Sequence, residues 1–301
     1  MSGLLTLRGM EADQITAILD AAQRFADSWR ITAPGSRFAG RTVTTAFFEP
    51  STRTRLSFER ASQALGATVM SFTPESSSTA KGESFKDTIL TLTAMGSDLL
   101  VVRHMWADSA ALAERWSGLP VINAGAGKSE HPTQTLIDAL TLRQHFGALE
   151  GLRVGIVGDV ANSRVARGHL AAFPVLGMEL TLVGPGTMLP SANPWQVRTA
   201  TSLDDELGDL DVVYLLRIQR ERESVDGSPS VSSYHRRFGM NAERLSMLKP
   251  TAVVLHPGPI NRGVEIDDVV ADSERSLILA QVANGVPVRM AVLESALGRP
   301  N

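Results

Sequence analysis

The sequence predicts an α/β protein with two domains, each a parallel β-sheet flanked by helices. Short β-branched and apolar runs alternate with segments whose apolar residues have helical spacing, a pattern typical of parallel sheets with crossover helices. The alternation stops near residues 147–151 and then starts again. The chain has 301 residues, of which 43% are hydrophobic and 20% charged, and this is enough for two such cores.

The first half of the chain contains four strand signals, and each is followed by a helical segment. The strands are predicted over 42–48, 68–72, 98–103 and 120–123, where β-branched, aromatic and apolar residues dominate. Helical spacing predicts an opening helix over 11–29 and further helices over 55–65, 84–95, 107–116 and 132–146. The glycine at 66 marks the end of the second helix.

The second half repeats this rhythm. Strands are predicted over 153–158, 179–183, 211–216 and 252–255, and a helix is predicted from about residue 163. The last segment, 274–297, has a helical pattern with Gly285 and Pro287 inside it. Because both residue types disfavour helix interiors, we expect two helical pieces there.

Composition excludes several classes of protein and site. The net charge of −3 and the isoelectric point of about 6.1 disfavour nucleic acid as a partner. The lack of cysteine rules out disulfides, thiolate nucleophiles and cysteine-ligated metals. Since no basic leader or membrane-length apolar run is present, we expect a cytoplasmic protein that does not contact a membrane.

Polar clusters follow the predicted strands, where open α/β sheets bind ligands. The cluster 49–55 opens a helix, and its hydroxyls, guanidinium groups and backbone N–H groups suit a phosphate; the alternative is an ordinary cap with two solvated arginines. The cluster 76–83 has the composition of a flexible linker, but it could also carry Lys81 over an anion.

Two further clusters carry histidine and arginine. Arg103–His104 and the segment 131–134 offer histidines that could donate to a carbonyl oxygen gaining negative charge, although a lone histidine is more often structural. In the second half, three predicted strands are each followed by polar residues: Arg164, the segment 217–219 and the segment 256–259. Arginines at equivalent strand ends favour a dicarboxylate ligand, with salt bridges between elements as the alternative.

Two glycine-containing segments resemble nucleotide-binding motifs but are incomplete. Residues 125–129 end like a P-loop without its leading glycine, and residues 155–158 lack the remaining glycines of a dinucleotide fingerprint. The six histidines have no metal-ligand spacing. We therefore expect neither a nucleotide nor a metal.

Nine motifs resemble the aspartate/ornithine carbamoyltransferase superfamily, and most closely the catalytic chain of the aspartate carbamoyltransferases. They are F-F-E-P-S-T-R-T-R (47–55), S-F-E-R-A (57–61), K-G-E-S-F-K-D-T (81–88), V-V-R-H (101–104), N-A-G (123–125), H-P-T-Q-T-L-I-D (131–138), V-G-D (157–159), R-I-Q-R-E-R (217–222) and H-P-G-P-I-N-R-G-V-E-I (256–266). They occur in the order of the family and cover most of the chain, which makes the resemblance specific.

The resemblance implies a reaction, its domains and its partners. The amino group of L-aspartate attacks the carbonyl carbon of carbamoyl phosphate, giving N-carbamoyl-L-aspartate and phosphate for pyrimidine (UMP) biosynthesis, without a cofactor. The last helix returns to the first domain, so that 1–132 plus 287–301 would bind carbamoyl phosphate and 150–285 would bind aspartate. A homotrimer with active sites shared between chains is expected, and a regulatory chain or a dihydroorotase is a further family partner.

The same resemblance assigns the site residues. The carbamoyl phosphate ligands would be Ser51, Thr52, Arg53, Thr54, Arg103, His131, Gln134, Pro257 and Gly258. The aspartate ligands would be Ser77, Lys81, Arg164, Arg217, Gln219 and Gly258, where Ser77 and Lys81 come from a neighbouring subunit. Arg53, Thr54, Lys81, Arg103 and His131 would take part in catalysis.

Three other functions compete with this one. Ornithine carbamoyltransferases share S-T-R-T-R and H-P-T-Q, but they usually have lysine where Glu49–Pro50 stands and H-C-L-P at 256–259. A non-catalytic relative is disfavoured because the candidate set is intact. A nucleotide-dependent oxidoreductase is disfavoured by the broken glycine fingerprint.

Overall fold

The computed structural model describes residues 3–29, 36–74, 82–218 and 230–298. The chain forms two compact units, one made of 1–140 and 282–301 and the other of 141–281. Each unit contains one parallel sheet with helices around it. The predicted fold class is therefore confirmed, including the return of the last helix to the first unit.

The first unit is built on a four-stranded sheet. Its strands are β1 (Thr42–Phe47), β2 (Thr68–Phe72), β3 (Leu99–His104) and β4 (Val121–Ala126), and its helices are α1 (Ala12–Ser28), α2 (Thr52–Ala64), α3 (Phe85–Ala94), α4 (Ser109–Ser117) and α5 (Pro132–Phe146). The strand order is β2-β1-β3-β4 and every pairing is parallel. Strands β1, β3 and β4 are buried almost throughout, as is typical of parallel strands that are covered on both faces.

The second unit is built on a five-stranded sheet. Its strands are β5 (Arg153–Val157), β6 (Glu179–Val183), β7 (Arg198–Ala200), β8 (Val212–Leu215) and β9 (Val253–Leu255), in the order β7-β6-β5-β8-β9. Its helices are α6 (Arg164–Ala172), α7 (Asp204–Leu207), α8 (Val231–Phe238), α9 (Ala242–Met247) and α10 (Asp268–Ala271). β7 and α7 to α10 were not predicted from the sequence, because elements of three to eight residues show too little periodicity.

The expectation that the C-terminal helical segment breaks at Gly285 and Pro287 was wrong. One helix, α11 (Ile278–Leu297), runs through both residues. Pro287 removes the N–H that would otherwise bond to the carbonyl of Ala283, which costs the helix one hydrogen bond. The following residues, from Val288 to Leu293, are buried, and this packing outweighs the local penalty.

Side-chain caps start several helices where the sequence changes from strand to helix. The hydroxyl of Ser84 accepts from the N–H of Asp87 at the start of α3, and Ser163 does the same for Ala166 at the start of α6. Within each sheet the strands are parallel, so the loops that leave their carboxyl ends lie along one edge. In each unit, that edge carries those candidate site residues that lie within the described ranges.

No helix within the described ranges is both long enough and apolar enough to cross a bilayer.

Candidate active site

The first polar cluster lies where β1 leads into α2. Ser51 is the N-cap residue with an extended backbone, and its hydroxyl does not cap the helix. The first turn contains no acidic side chain, and Thr54 within it is 6% exposed. Because the first N–H groups of a helix have no intrahelical acceptor, this end carries a partial positive charge that favours an anion.

Arg53 adds a full positive charge to this helix end. Burial lowers the pKa of its guanidinium, because the charged form loses hydration there. The group nevertheless stays protonated at neutral pH, as arginine does in proteins. A partly buried cation beside a helix N-terminus is a favourable environment for a phosphate group.

Arg103 lies at the end of β3, next to the start of this cluster. The register of the sheet places Arg103 opposite Phe47, the last residue of β1. Its Nη1 donates to the carbonyl oxygen of Ala124 at 3.3 Å, and its Nε lies 3.6 Å from Oε2 of Glu49. The guanidinium is therefore held beside the carboxyl ends of three neighbouring strands.

His131 and Gln134 stand at the start of α5, after β4. His131 is 5% exposed, and its carbonyl oxygen accepts from the N–H of Gln134 at 2.9 Å. The preceding residue, Glu130, accepts from the hydroxyl of Thr6 and the N–H of Leu7, which anchors this loop to the N-terminal segment. The start of α5 is thus a rigid support for both side chains.

Asp138 sets the orientation of the Gln134 amide. Nε2 of Gln134 donates to Oδ1 of Asp138 at 2.8 Å, and both side chains are buried. Since the amide nitrogen is used in this way, its Oε1 is the end that can accept a hydrogen bond from a ligand N–H.

His104 does not join Arg103, although the two are adjacent in the sequence. The His104 ring packs among Phe48, Phe85 and Trp106, and its Nδ1 accepts from the N–H of Trp106 at 3.0 Å. Burial lowers the pKa of His104, although Glu49 and Asp108 act in the opposite direction. The ring is an aromatic core group, as the structural alternative for a lone histidine predicted.

In the second unit, three candidate segments follow three strands that are neighbours in the sheet. β5 pairs with β8, and β8 pairs with β9. Arg164 is the first residue of α6, after β5, and Arg217 comes two residues after the end of β8. The segment 256–259 follows β9 directly. The topology thus brings both arginines and this segment to one edge of the sheet.

His256 and Glu265 form a fully buried pair at this edge. Nδ1 of His256 accepts from the N–H of Gly258 at 2.7 Å, so Nε2 is the nitrogen that donates to Oε1 of Glu265, at 3.1 Å. Gly258 has a φ of +64°, which favours glycine in this tight turn. The backbone N–H of His256 donates to Gln281.

Glu265 also binds the segment that follows β8. Its Oε1 accepts from the N–H of Asn261 at 2.6 Å, and its Oε2 accepts from Asn261 Nδ2 at 3.2 Å. Asn261 Nδ2 also donates to the carbonyl oxygen of Ile218 at 2.9 Å, and the N–H of Ile218 lies 3.5 Å from Oε2 of Glu265. One buried carboxylate therefore ties the segment 256–261 to the backbone next to Arg217.

Glu265, Asn261 and Asp138, which hold segments of the candidate site in place, were not singled out from the sequence. Glu265 stands between Val264 and Ile266, and all three side chains are buried. A charged residue inside an apolar run was the available signal, since such residues are rarely buried without partners. Ser77, Lys81 and Gln219, which the sequence analysis named as aspartate ligands, lie outside the described residues.

Both halves of the chain match known domains. Residues 3–144 match the carbamoyl-phosphate-binding domain of the aspartate/ornithine carbamoyltransferases, and residues 150–296 match their aspartate/ornithine-binding domain. The aspartate carbamoyltransferase catalytic subunit of Gluconacetobacter diazotrophicus is 50% identical over 97% of this chain and 91% of its own length. That of Acidothermus cellulolyticus is 49% identical over 99% of this chain and 93% of its own length.

Solved structures show the same likeness. Aspartate transcarbamoylase from Trypanosoma cruzi in complex with carbamoyl phosphate and aspartate has a TM-score of 0.87 and 30% identity, covering 99% of this chain and 97% of its own. Ornithine carbamoyltransferase from Thermus thermophilus has a TM-score of 0.85 and 25% identity, covering 98% and 99%. With relatives this similar over nearly its whole length, the chain belongs to the aspartate/ornithine carbamoyltransferase family.

Proposed function

We propose that this protein transfers the carbamoyl group of carbamoyl phosphate to the amino group of L-aspartate, giving N-carbamoyl-L-aspartate and phosphate. The observation that carries the proposal is the near-complete match to aspartate carbamoyltransferase catalytic subunits, which are more similar to the chain than the ornithine enzyme is. The arginines after β5 and β8 support the same choice, because guanidinium groups pair with carboxylates and repel the cationic side chain of ornithine.

The phosphate of carbamoyl phosphate binds at the N-terminus of α2. Backbone N–H groups and the hydroxyls of Ser51, Thr52 and Thr54 donate to its oxygens, and Arg53 supplies a positive charge. As the bond to the phosphate breaks, negative charge grows on this leaving group. Arg53 then stabilises the transition state more strongly than the ground state, which is the condition for a faster reaction.

The carbonyl oxygen is polarised by Thr54, Arg103 and His131. These groups are held by α2, β3 and α5 of one unit, so the donors are in place before the tetrahedral species forms. The carbamoyl nitrogen donates to Oε1 of Gln134, the free end of the amide that Asp138 orients. The backbone carbonyls of Pro257 and Gly258 accept further N–H groups and orient the incoming amine.

The carboxylates of aspartate bind Arg164 and Arg217, together with Gln219, Ser77 and Lys81. Positioning the two reactants in this way converts a bimolecular step into one that occurs within a complex. The attacking amino group loses a proton, and the departing phosphate is the proposed acceptor. No metal or organic cofactor is needed for this chemistry.

The assembly belongs to the same proposal. Ser77 and Lys81 act in a neighbouring subunit, so each active site needs two chains and the smallest complete enzyme is a homotrimer. The protein works in the cytoplasm, in the pyrimidine pathway that supplies UMP. Sedimentation of the purified protein tests the trimer, and mixing Lys81→Ala chains with Arg53→Ala chains should restore partial activity if sites are shared.

A product assay tests the reaction directly. Purified protein receives carbamoyl phosphate with either L-aspartate or L-ornithine, and the carbamoylated product is measured. We expect product with aspartate alone. Product with ornithine would retain the phosphate site and refute the proposed roles of Arg164 and Arg217, and no product from a folded trimer would refute the proposed function.

Replacing Arg217 with methionine should raise the KM for aspartate by roughly 10- to 100-fold, because a hydrogen bond between charged groups contributes about 1.5–3 kcal/mol. The KM for carbamoyl phosphate should stay within about threefold, since Arg217 contacts the other substrate. Steady-state kinetics with each substrate varied in turn measures both values.

Arg262→Met is the matched control for Arg217→Met. Arg262 lies in the same unit, but it pairs with Asp268 and Asp272 on the surface. An unchanged aspartate KM in Arg217→Met, or an equal rise in both variants, would contradict the assignment.

A further inference from the structure

Arg289 is a buried cation on α11 with few partners. It is 3% exposed, and its Nη1 donates to the carbonyl oxygen of Gly285 at 3.0 Å. Its guanidinium lies over the ring of Phe58, 4.9 Å from the centroid, and its Nε is buried without a hydrogen-bond partner. Within the described residues it forms no salt bridge.

A cation in this position is costly for the fold, because burial removes its hydration and one carbonyl oxygen replaces little of it. Burial, followed by the positive charge of Arg103, lowers the pKa of Arg289 to about 9, whereas the Asp138 carboxylate acts in the opposite direction. The group is charged at neutral pH and lies in a region that already contains Arg103. An anion bound nearby would compensate both charges.

The surroundings of Arg289 lead directly to the proposed carbamoyl phosphate ligands. Phe58, which its guanidinium covers, is one helical turn beyond Thr54 on α2. Asp138 is one turn beyond Gln134 on α5 and accepts its amide N–H. Arg103 is at the end of β3. All of these residues belong to the first unit. Arg289 contacts Phe58 directly, and the charges of Arg103 and Asp138 act on its pKa.

The glycine at 285 makes room for the guanidinium. A Cβ atom at this position would lie 2.8 Å from Nη1 of Arg289, and the other nearest atoms, on Ser57 and Ile137, would be 3.8 and 3.9 Å away. A larger residue at 285 would therefore displace the guanidinium rather than the surrounding core. Glycine at this point in a helix is otherwise unfavourable compared with alanine.

We propose that Arg289 is a positioning residue for carbamoyl phosphate: its buried charge raises the positive potential at the phosphate site, and its attraction for Asp138 keeps the Gln134 amide oriented. This inference rests on the proposed function. The substrate is not in contact with Arg289. The charge acts through a medium of low dielectric constant, in which Coulomb interactions reach further than in water.

The test uses inorganic phosphate as the probe, with binding measured by calorimetry, together with steady-state kinetics. We expect Arg289→Gln to weaken phosphate binding and raise the KM for carbamoyl phosphate by about tenfold, the order of effect for removing one buried charge near a dianion. The KM for aspartate at saturating carbamoyl phosphate should change less than about twofold. Arg289→Lys, which retains the charge, should restore most of the phosphate affinity.

Two further variants separate charge from packing. Arg244→Met removes another buried arginine, which is bound to Asp204 and three carbonyl oxygens in the second unit. It should lower the melting temperature without changing the phosphate Kd. Gly285→Ala retains Arg289 but displaces its guanidinium, and the folded variant should bind phosphate about threefold or more weakly.

An unchanged phosphate Kd in folded Arg289→Gln would overturn the proposal. A folded Arg289→Lys variant that binds phosphate as poorly as folded Arg289→Gln would do the same. If Arg289→Gln does not fold, an unchanged Kd in Gly285→Ala would overturn the proposal. Failure of the proposed function is a separate result, because the unmodified protein would then give no carbamoylated product whatever the phosphate Kd of the variants.

Discussion

Replacing Arg53 with alanine is expected to lower kcat by about 100- to 1000-fold, the usual effect of losing one preorganised group that stabilises transition-state charge. Arg53 lies in the first turn of α2, where burial lowers its pKa and strengthens its interaction with an anion. The charge on the departing phosphate is largest in the transition state, so kcat should fall more than phosphate affinity. Product formation under saturating substrates measures the effect.

Arg55→Ala is the matched control for Arg53→Ala. Arg55 is in the same helix turn and carries the same charge, but its side chain is 36% exposed and lies 3.9 Å from Glu59. We expect this variant to retain activity within about threefold, because an exposed pair of this kind contributes little. Near-normal turnover in Arg53→Ala, or an equal loss in the two variants, would refute the role of Arg53 in catalysis.

Replacing Glu265 with glutamine should destabilise the protein by about 2–4 kcal/mol, which is the cost of leaving one or two buried donors without an acceptor. The carboxylate accepts hydrogen bonds on both oxygens, from His256 and Asn261 and at longer distance from Ile218. A glutamine has a single acceptor oxygen, and its NH₂ group would face a donor. Urea unfolding followed by circular dichroism measures the change.

The Glu265→Gln variant should also lose affinity for aspartate, because the carboxylate connects the segment 256–261 with the backbone beside Arg217. Glu206→Gln is the control. Glu206 is also buried in the second unit, but it pairs with the exposed Arg198 and should contribute no more than about 1 kcal/mol. If the two variants were equally stable and bound aspartate equally well, Glu265 would not hold these loops.

The parts of the candidate site that lie in short continuous segments could be predicted from the sequence. The parallel strands are buried on both faces, so they are rich in β-branched and apolar residues and easy to recognise. The polar residues that follow them mark the ligand-binding edge. Arg103, Arg164 and Arg217 were placed after strands from the sequence. In the structure Arg103 is near the end of β3, Arg217 comes two residues after β8, and Arg164 begins the helix that follows β5.

Other features needed the folded chain. His104 is adjacent to Arg103, but aromatic packing takes its ring into the core. The helix α11 continues through Pro287, because burial of the following turns outweighs the loss of one hydrogen bond. The orientation of the Gln134 amide depends on Asp138, and the segment after β9 depends on Glu265.

The two parallel sheets, the polar residues that follow their strands and the family resemblance could all be inferred from the sequence. Such information is local, because strand and helix periodicity and the residues that follow each element occupy short windows. The folded chain was needed to show that Arg289 lies over Phe58 and that Glu265 joins two loops. Both contacts join residues that are distant in the chain. They form because packing buries these polar groups, and a buried polar group needs a partner.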